Sequence, residues 1–225
     1  EERNSWRKKI LEHSEAIVLR DPISEKYVRS IVPNKKVSST LDSAFQHDVN
    51  TEQNQEKLNQ YIDLKRFLEK HEKCVGVTIT DLQWHPVYSK DPAIAKNVRD
   101  IFHEFFSSIT KIGYGVVFIP QLYGNANDYD LMCKFCCDTN DYFIVTANDG
   151  RYDAYFQQYL VGQLYAVIGM RYHSNIFSAK MGTPFISISY EQKMKGFMEK
   201  MDLVEYCIDL QNLSKDVLKN RFEYL

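Results

Sequence analysis

Short apolar runs alternate with helical patterns along most of this chain. From Cys74 onward the runs are "CVGVTI" (74–79), "GVVFIP" (115–120), "YFIVTA" (142–147), "YAVIGM" (165–170), "PFISIS" (184–189) and "YCIDL" (206–210). Between them lie stretches with apolar residues at helical spacing, such as Ile94 to Lys111 and Glu191 to Met201. Continuous Val/Ile-rich runs separated by helices predict parallel strands covered on both faces. The expected fold class is therefore α/β, a doubly wound, Rossmann-like parallel sheet with right-handed crossovers.

The region before Cys74 is less regular. "EAIVLRD" (15–21) predicts one more strand, followed by a helix from Ser24 to Ile31 and then "KKVSSTLDSAF". From His47 the chain is polar, "HDVNTEQNQEKLNQ", then charged and helical up to Lys73. The expected division is residues 1–46 as the tail of a preceding α/β domain, 47–73 as a polar connector or mobile loop and helix, and 74–225 as the Rossmann-like domain. The chain opens on Glu1 rather than methionine, which adds the expectation of a start inside a longer protein.

Composition narrows the function classes. The 225 residues are 44% hydrophobic and 26% charged, as in globular proteins. The formal charge of −2 and the lack of a basic stripe argue against nucleic acid or an anionic membrane as partner. No run approaches the roughly 20 apolar residues of a membrane span. Five cysteines (Cys74, Cys133, Cys136, Cys137, Cys207) make no even disulfide framework, so reduced thiols in a cytoplasmic protein are the expectation. "CKFCC" lacks a second Cys/His pair at zinc-site spacing, and no metal is expected. No G-x-G-x-x-G follows a strand, so no dinucleotide cofactor is expected either.

In open parallel sheets, ligands bind beyond the carboxyl ends of the strands, where helix N-termini also point. The residues just past each run are Thr80 and Asp81, Gln121, Asn148 and Asp149, Arg171 and His173, and Tyr190. "GMRYHSNIFSAK" (169–180) is the most informative of these exits. A guanidinium fork suited to carboxylate or phosphate stands beside an imidazole that exchanges protons near neutral pH. Both lie at the start of a helix that Ser174 or Asn175 is placed to cap. A helix N-terminus disfavours His⁺, so His173 works as an acid only with an anion or carboxylate nearby. Downstream, Gly182 and Pro184 predict a helix stop and a strand start, with Tyr190 and Lys193 straddling the entry to the next helix. "LRDPIS" places Arg20 and Asp21 at another strand end with Ser24 as a helix cap; Arg20 is a second candidate anion contact. Tyr142, Tyr152, Tyr155 and Tyr159 either line a groove or flank a helix starting near Asp153, the latter being preferred.

At these residues the sequence resembles the polysaccharide pyruvyl transferases. The segment "VIGMRYHSNIFSAKMGTPFISISYEQKMKGFMEKMDL" is similar to that family's C-terminal signature, with Arg-x-His, Gly-x-Pro and Tyr-x-x-Lys in order. "AIVLRDPIS" resembles its Arg-Asp-x-x-Ser element, and "STLDSAF" the Asp-containing stretch that follows. The resemblance implies a fold like that of GT-B glycosyltransferases, with this chain as the C-terminal domain plus a remnant of the first. It implies transfer of a pyruvyl group from phosphoenolpyruvate to hydroxyls of a sugar or lipid-linked oligosaccharide, in bacterial exopolysaccharide synthesis in the cytoplasm, without cofactor. Under it, His173 is the general acid, Arg171 the main donor anchor with Arg20 and Lys193 as further cations, and Gln121, Asn148, Asp149 and Tyr190 are substrate contacts. Two alternatives stay open: a GT-B glycosyltransferase using a nucleotide sugar, for which Glu191 and Glu199 have a suggestive spacing, and a non-catalytic carbohydrate-binding or assembly module.

Overall fold

The computed structural model describes residues 2–124, 127–136, 141–146 and 152–225. Eight strands are present among them: β1 (Ile17–Leu19), β2 (Val37–Ser39), β3 (Cys74–Thr78), β4 (Gly115–Phe118), β5 (Tyr142–Ile144), β6 (Ala166–Gly169), β7 (Phe185–Ser189) and β8 (Cys207–Asp209). The helices are α1 (Glu2–His13), α2 (Pro22–Ile31), α3 (Thr51–Gln60), α4 (Ile62–Lys70), α5 (Pro92–Thr110), α6 (Asp128–Cys133), α7 (Ala154–Val161), α8 (Tyr172–Met181), α9 (Gln192–Lys200) and α10 (Lys215–Glu223).

β3 to β8 form one six-stranded, all-parallel sheet in the order β5-β4-β3-β6-β7-β8. This is the doubly wound arrangement expected from the apolar runs. Every residue of β3, β4, β6 and β7 is buried, so the sheet is covered on both faces. The strand order reverses between β3 and β6, which pair Val75 with Ala166 and Thr78 with Gly169. Sheets of this order bind ligands at that reversal. On α5, Phe102 and Phe106 stack in parallel at 5.3 Å, and Phe106 meets Phe118 of β4 edge-on at 5.6 Å. This aromatic layer anchors the longest helix to the sheet.

β1 and β2 form a separate two-stranded parallel sheet, with Ile17 beside Val37. It carries a small core of its own, Ile17, Val28, Val32 and Val37. α2 begins at Pro22, and its cap is Asp21 rather than Ser24. Asp21 accepts hydrogen bonds from the Ser24 backbone N–H and hydroxyl, both at 2.7 Å. Its Cβ and carboxylate lie over Gly196 of α9, where a methyl group would meet them at 3.0–3.3 Å. Glycine here lets the small sheet seat directly on the large domain.

The polar stretch after His47 is ordered, contrary to the expectation of a connector or mobile loop. Asn50 caps α3 by accepting from Gln53 N–H at 2.9 Å. Asn54 and Leu58, one turn apart, give this polar helix a narrow buried stripe. α3 docks on α7 through the Lys57–Asp153 ion pair (2.9 Å) and a Tyr159–Gln55 hydrogen bond. A stripe of two residues in ten is too thin for composition to reveal.

The tip of β6 is built by close packing. A Cβ on Gly169 would come within 2.1 Å of Asn175 Oδ1 and 2.7 Å of Ser174 Oγ. Glycine is what brings the first turn of α8 down onto the strand end. Gly169→Ala is therefore expected to lower unfolding free energy by about 1–3 kcal/mol, the usual cost of forcing an extra carbon into a full site. Chemical denaturation of the two proteins measures this; an unchanged midpoint would refute the close-packed tip.

Candidate active site

α8 starts at Tyr172, with only Met170 and Arg171 between it and the end of β6, and Arg171 is its N-cap. Neither Ser174 nor Asn175 caps it, contrary to expectation; both side chains are fully buried beneath it. Ser174 Oγ donates to the Arg171 carbonyl at 2.6 Å and lies 2.8 Å from Thr78 Oγ1, which accepts from the Arg171 N–H at 3.2 Å. Asn175 Nδ2 donates to Ser187 Oγ of β7 at 2.8 Å. A polar seam thus ties three strand ends to one helix start. Gly182 closes α8 in the left-handed conformation at φ 71°, where a side chain would be strained. This agrees with the helix stop read from the sequence.

Arg171 is not a free clamp. Its guanidinium forks onto the Asp128 carboxylate, with Nε 3.1 Å from Oδ2 and Nη2 on Oδ1. Asp128 is nearly fully buried and also accepts from the Gln121 and Leu122 N–H groups at 3.0 and 2.9 Å. The planar fork that suits a substrate carboxylate is satisfied by a carboxylate of the same chain. Nη1 makes no hydrogen bond within the described residues. Through Asp128, Arg171 fixes the loop after β4 beside the tip of β6. Sequence reasoning missed this pairing because 43 residues separate its members.

His173 opens onto a cleft of ≈ 430 Å³ between α7, α8 and the 44–47 segment. Tyr152, Tyr155 and Phe177 form its apolar walls, while Gln121, Tyr123 and Gln157 contribute polar groups. Gln157 Nε2 donates to Tyr123 Oη at 2.7 Å and to the Pro120 carbonyl at 3.2 Å; Gln121 Nε2 reaches Gln157 Oε1 at 3.4 Å. The volume is in the range of small-molecule sites. α7 starts beside Asp153, which caps it by accepting from Tyr155 and Phe156, as preferred from sequence. Tyr152 and Tyr155 also face the cleft, so the two roles weighed for the tyrosines coexist.

A charged cluster adjoins His173. Arg20 lies over the Tyr172 ring at 4.4 Å and pairs with Asp42 at 2.7 Å. Burial works to raise the Asp42 pKa, but the Ala44 N–H and Arg20 outweigh it, so the carboxyl stays below its usual range. Burial pushes the Tyr172 phenol up to about 12, and its hydroxyl is buried without a hydrogen-bond partner among the described residues. Arg20, Asp42 and Lys193 line an adjoining hollow of ≈ 460 Å³. Lys193 pairs with Glu191 at 2.6 Å. The His173 ring is open to solvent on one side, yet the protein around it removes enough water to lower its pKa below 6.5. Asp42 opposes that shift, while Arg20 and Lys193 add to it.

The structure thus brings Arg20, Lys193, His173 and Gln121 to two adjoining hollows. Tyr190 lies elsewhere, in a separate cleft, against Trp84 and His85. Asn148, Asp149 and Cys137 lie outside the described residues. Among the described residues, no group of three His, Cys, Asp or Glu side chains is placed to hold a metal ion. Glu191 precedes α9 and is held by Lys193, while Glu199 is exposed on that helix.

Residues 6–192 match the family described as polysaccharide pyruvyl transferase. A 54-residue segment is 41% identical to the amylovoran biosynthesis protein AmsJ of Erwinia amylovora, covering 24% of this chain and 13% of that protein. In three dimensions the chain is similar to the UDP-GlcNAc 2-epimerase of Methanocaldococcus jannaschii solved with UDP-GlcNAc and UDP. There the TM-score is 0.60 at 11% identity, over 94% of this chain and 54% of that one. It is also similar to α,α-trehalose 6-phosphate synthase from Burkholderia multivorans, with TM-score 0.56 at 10% identity over 97% and 54%. At such identities the likeness is one of fold: a Rossmann-like α/β architecture of GT-B type. The chain spans about half the length of these two solved structures.

Replacing Asp128 tests the frame of this site. Asp128→Ala leaves the Arg171 guanidinium and two backbone N–H groups without their acceptor, and is expected to cost about 3–5 kcal/mol of stability. Asp128→Ala/Arg171→Met removes both charges and is expected to recover part of that loss. Urea denaturation of the three proteins reads the result. A double variant no more stable than Asp128→Ala would mean that the pair does not bear on the frame.

Proposed function

This chain belongs to the polysaccharide pyruvyl transferase family, and we propose that it carries the donor site of an enzyme moving a pyruvyl group from phosphoenolpyruvate onto hydroxyls of a cell-surface polysaccharide precursor. The observation that carries this reading is the placement of His173 beside Arg20 and Lys193 in adjoining hollows. Phosphoenolpyruvate bears a phosphate and a carboxylate, and fixed cations are the groups that hold them. Arg20 and Lys193 supply two; Arg171 lines neither hollow and is held by Asp128. Each ammonium or guanidinium already has a carboxylate partner, so the donor competes with Asp42 and Glu191 for them.

In the proposed chemistry the donor's methylene carbon takes up a proton, and positive charge develops at the carbon bearing the phosphate oxygen. One sugar hydroxyl adds there; a second displaces phosphate and closes the ketal. One hydroxyl proton replaces the proton delivered to the methylene, and the other leaves with phosphate. His173 is placed to deliver the first proton. Its lowered pKa keeps the imidazole neutral at pH 7. A bound dianion beside it raises that pKa, so the acid form appears with the donor that needs it. The tyrosine-walled cleft is the proposed place for the sugar, with Gln121 and Gln157 as hydroxyl partners. No helix among the described residues is long and apolar enough to cross a membrane. The reading places the reaction in the cytoplasm, on a sugar or lipid-linked oligosaccharide.

Binding of phosphoenolpyruvate is accordingly expected to take up protons near pH 7, because the His173 pKa moves from below 6.5 upward when the donor arrives. Affinity should rise as pH falls toward 6. Calorimetry in buffers of different ionisation enthalpy measures this uptake, which His173→Gln should abolish. Arg20→Ala should weaken binding roughly 10- to 100-fold, the loss of charge-assisted hydrogen bonds. Binding without proton uptake would defeat the acid role of His173. Tight binding of a nucleoside diphosphate with none of phosphoenolpyruvate would favour the nucleotide-sugar glycosyltransferase instead.

A further inference from the structure

A second cleft, of ≈ 300 Å³, lies at the exits of β7 and β8. It shares no lining residue with the cleft that holds His173. Tyr88 and Tyr190 form its aromatic side, and Trp84, 51% exposed, meets the Tyr190 ring edge-on at 6.0 Å. Facing them are Glu191, Gln192 and Lys195 from the start of α9, Asp209 at the end of β8, and Gln211 and Asn212 from the turn that follows. The side chains of Asp209, Gln211 and Asn212 make no hydrogen bond or ion pair with any described residue.

We propose that this cleft is a carbohydrate subsite taking one pyranose unit. That the unit belongs to the acceptor saccharide rests on the transferase reading above; sugar binding itself does not. The chemistry is specific to that class. A pyranose presents a face of C–H groups that packs on aromatic rings and a rim of hydroxyls that both donate and accept. One carboxylate and two carboxamides with unused capacity supply acceptors and donors together. Two carboxylates against one ammonium among the lining side chains disfavour a phosphate or another dianion here, which separates this cleft from the Arg20 and Lys193 hollow. The aromatic platform is cross-braced by His85, whose ring packs at a tilt on Tyr88 at 4.5 Å and meets the Tyr190 ring edge-on at 6.1 Å, which limits the ordering that accompanies binding.

The chain has two tryptophans, and the other, Trp6, lies exposed on α1. In a Trp6→Phe background, indole emission therefore reports Trp84 alone. Methyl β-galactoside, methyl β-glucoside and methyl β-glucuronide would be titrated in turn, with UDP and phosphoenolpyruvate as comparisons. The expected result is a saturable emission change with at least one glycoside and none with phosphoenolpyruvate. Asp209→Ala or Asn212→Ala should weaken the response about tenfold, the scale of one lost hydrogen bond, with the far-ultraviolet dichroism unchanged. No saturable change with any glycoside, an equal affinity in both variants, or competition by UDP would overturn the proposal. The calorimetric test of phosphoenolpyruvate reads the other cleft, so its failure with glycoside binding intact would remove the donor assignment and leave this one standing.

Discussion

The site hangs on a buried polar seam under the first turn of α8. Thr78, Ser174, Asn175 and Ser187 are each fully buried, yet they link β3, β6 and β7 to the helix. Hydrophobic packing alone would bring a helix near a sheet without fixing its rotation about its own axis. Directional hydrogen bonds in a low-dielectric interior do fix it, because an unmatched partner there costs about 1–3 kcal/mol. The direction of the His173 ring follows from that rotation. Gly169 makes the seam reachable by removing the one carbon that would hold the helix away.

Electrostatic self-pairing is the second organising theme. Arg171 is held by Asp128, Arg20 by Asp42 and Lys193 by Glu191. A cluster of unpaired cations would repel itself and pull in any passing anion. Carboxylate partners keep the cations in place and leave part of their hydrogen-bonding capacity for a ligand. The cost falls on affinity, since a donor gains only the difference between its own contacts and those it displaces. Arg171 is the extreme case: its partner is so buried that the pair acts as a strut between the β4 and β6 loops.

Most of the large sheet was legible in the sequence. Fully buried parallel strands must be continuously apolar, and all six runs from Cys74 onward became strands within a residue or two at their starts. The helix stop at Gly182 and the start of α7 beside Asp153 were legible for equally local reasons. α3 was not, because ten residues with two buried positions look like a polar linker. The residues at strand exits were legible as a set, since the fold class dictates where such residues go. What each one touches was not. The Asp128–Arg171 and Arg20–Asp42 pairs join positions tens of residues apart, and no local pattern carries that information. Tyr190 shows the same limit: its place just past β7 was readable, but the aromatic cluster that draws it into a different cleft was not.

The lysines at the far ends of two helices bear on how the small sheet can move. Lys180 of α8 donates to the Ala44 and His47 carbonyls, and Lys200 of α9 to Ser39 Oγ and the Thr40 carbonyl. Both therefore grip the backbone that leads from β2 toward α3. A hinge between the two sheets cannot lie within residues 39–47 while those grips hold. Rotation of the small sheet would have to strip both lysines from their carbonyls together. The 44–47 wall of the crevice beside His173 is thereby tied to the C-terminal end of α8, the same helix that presents His173 at its start.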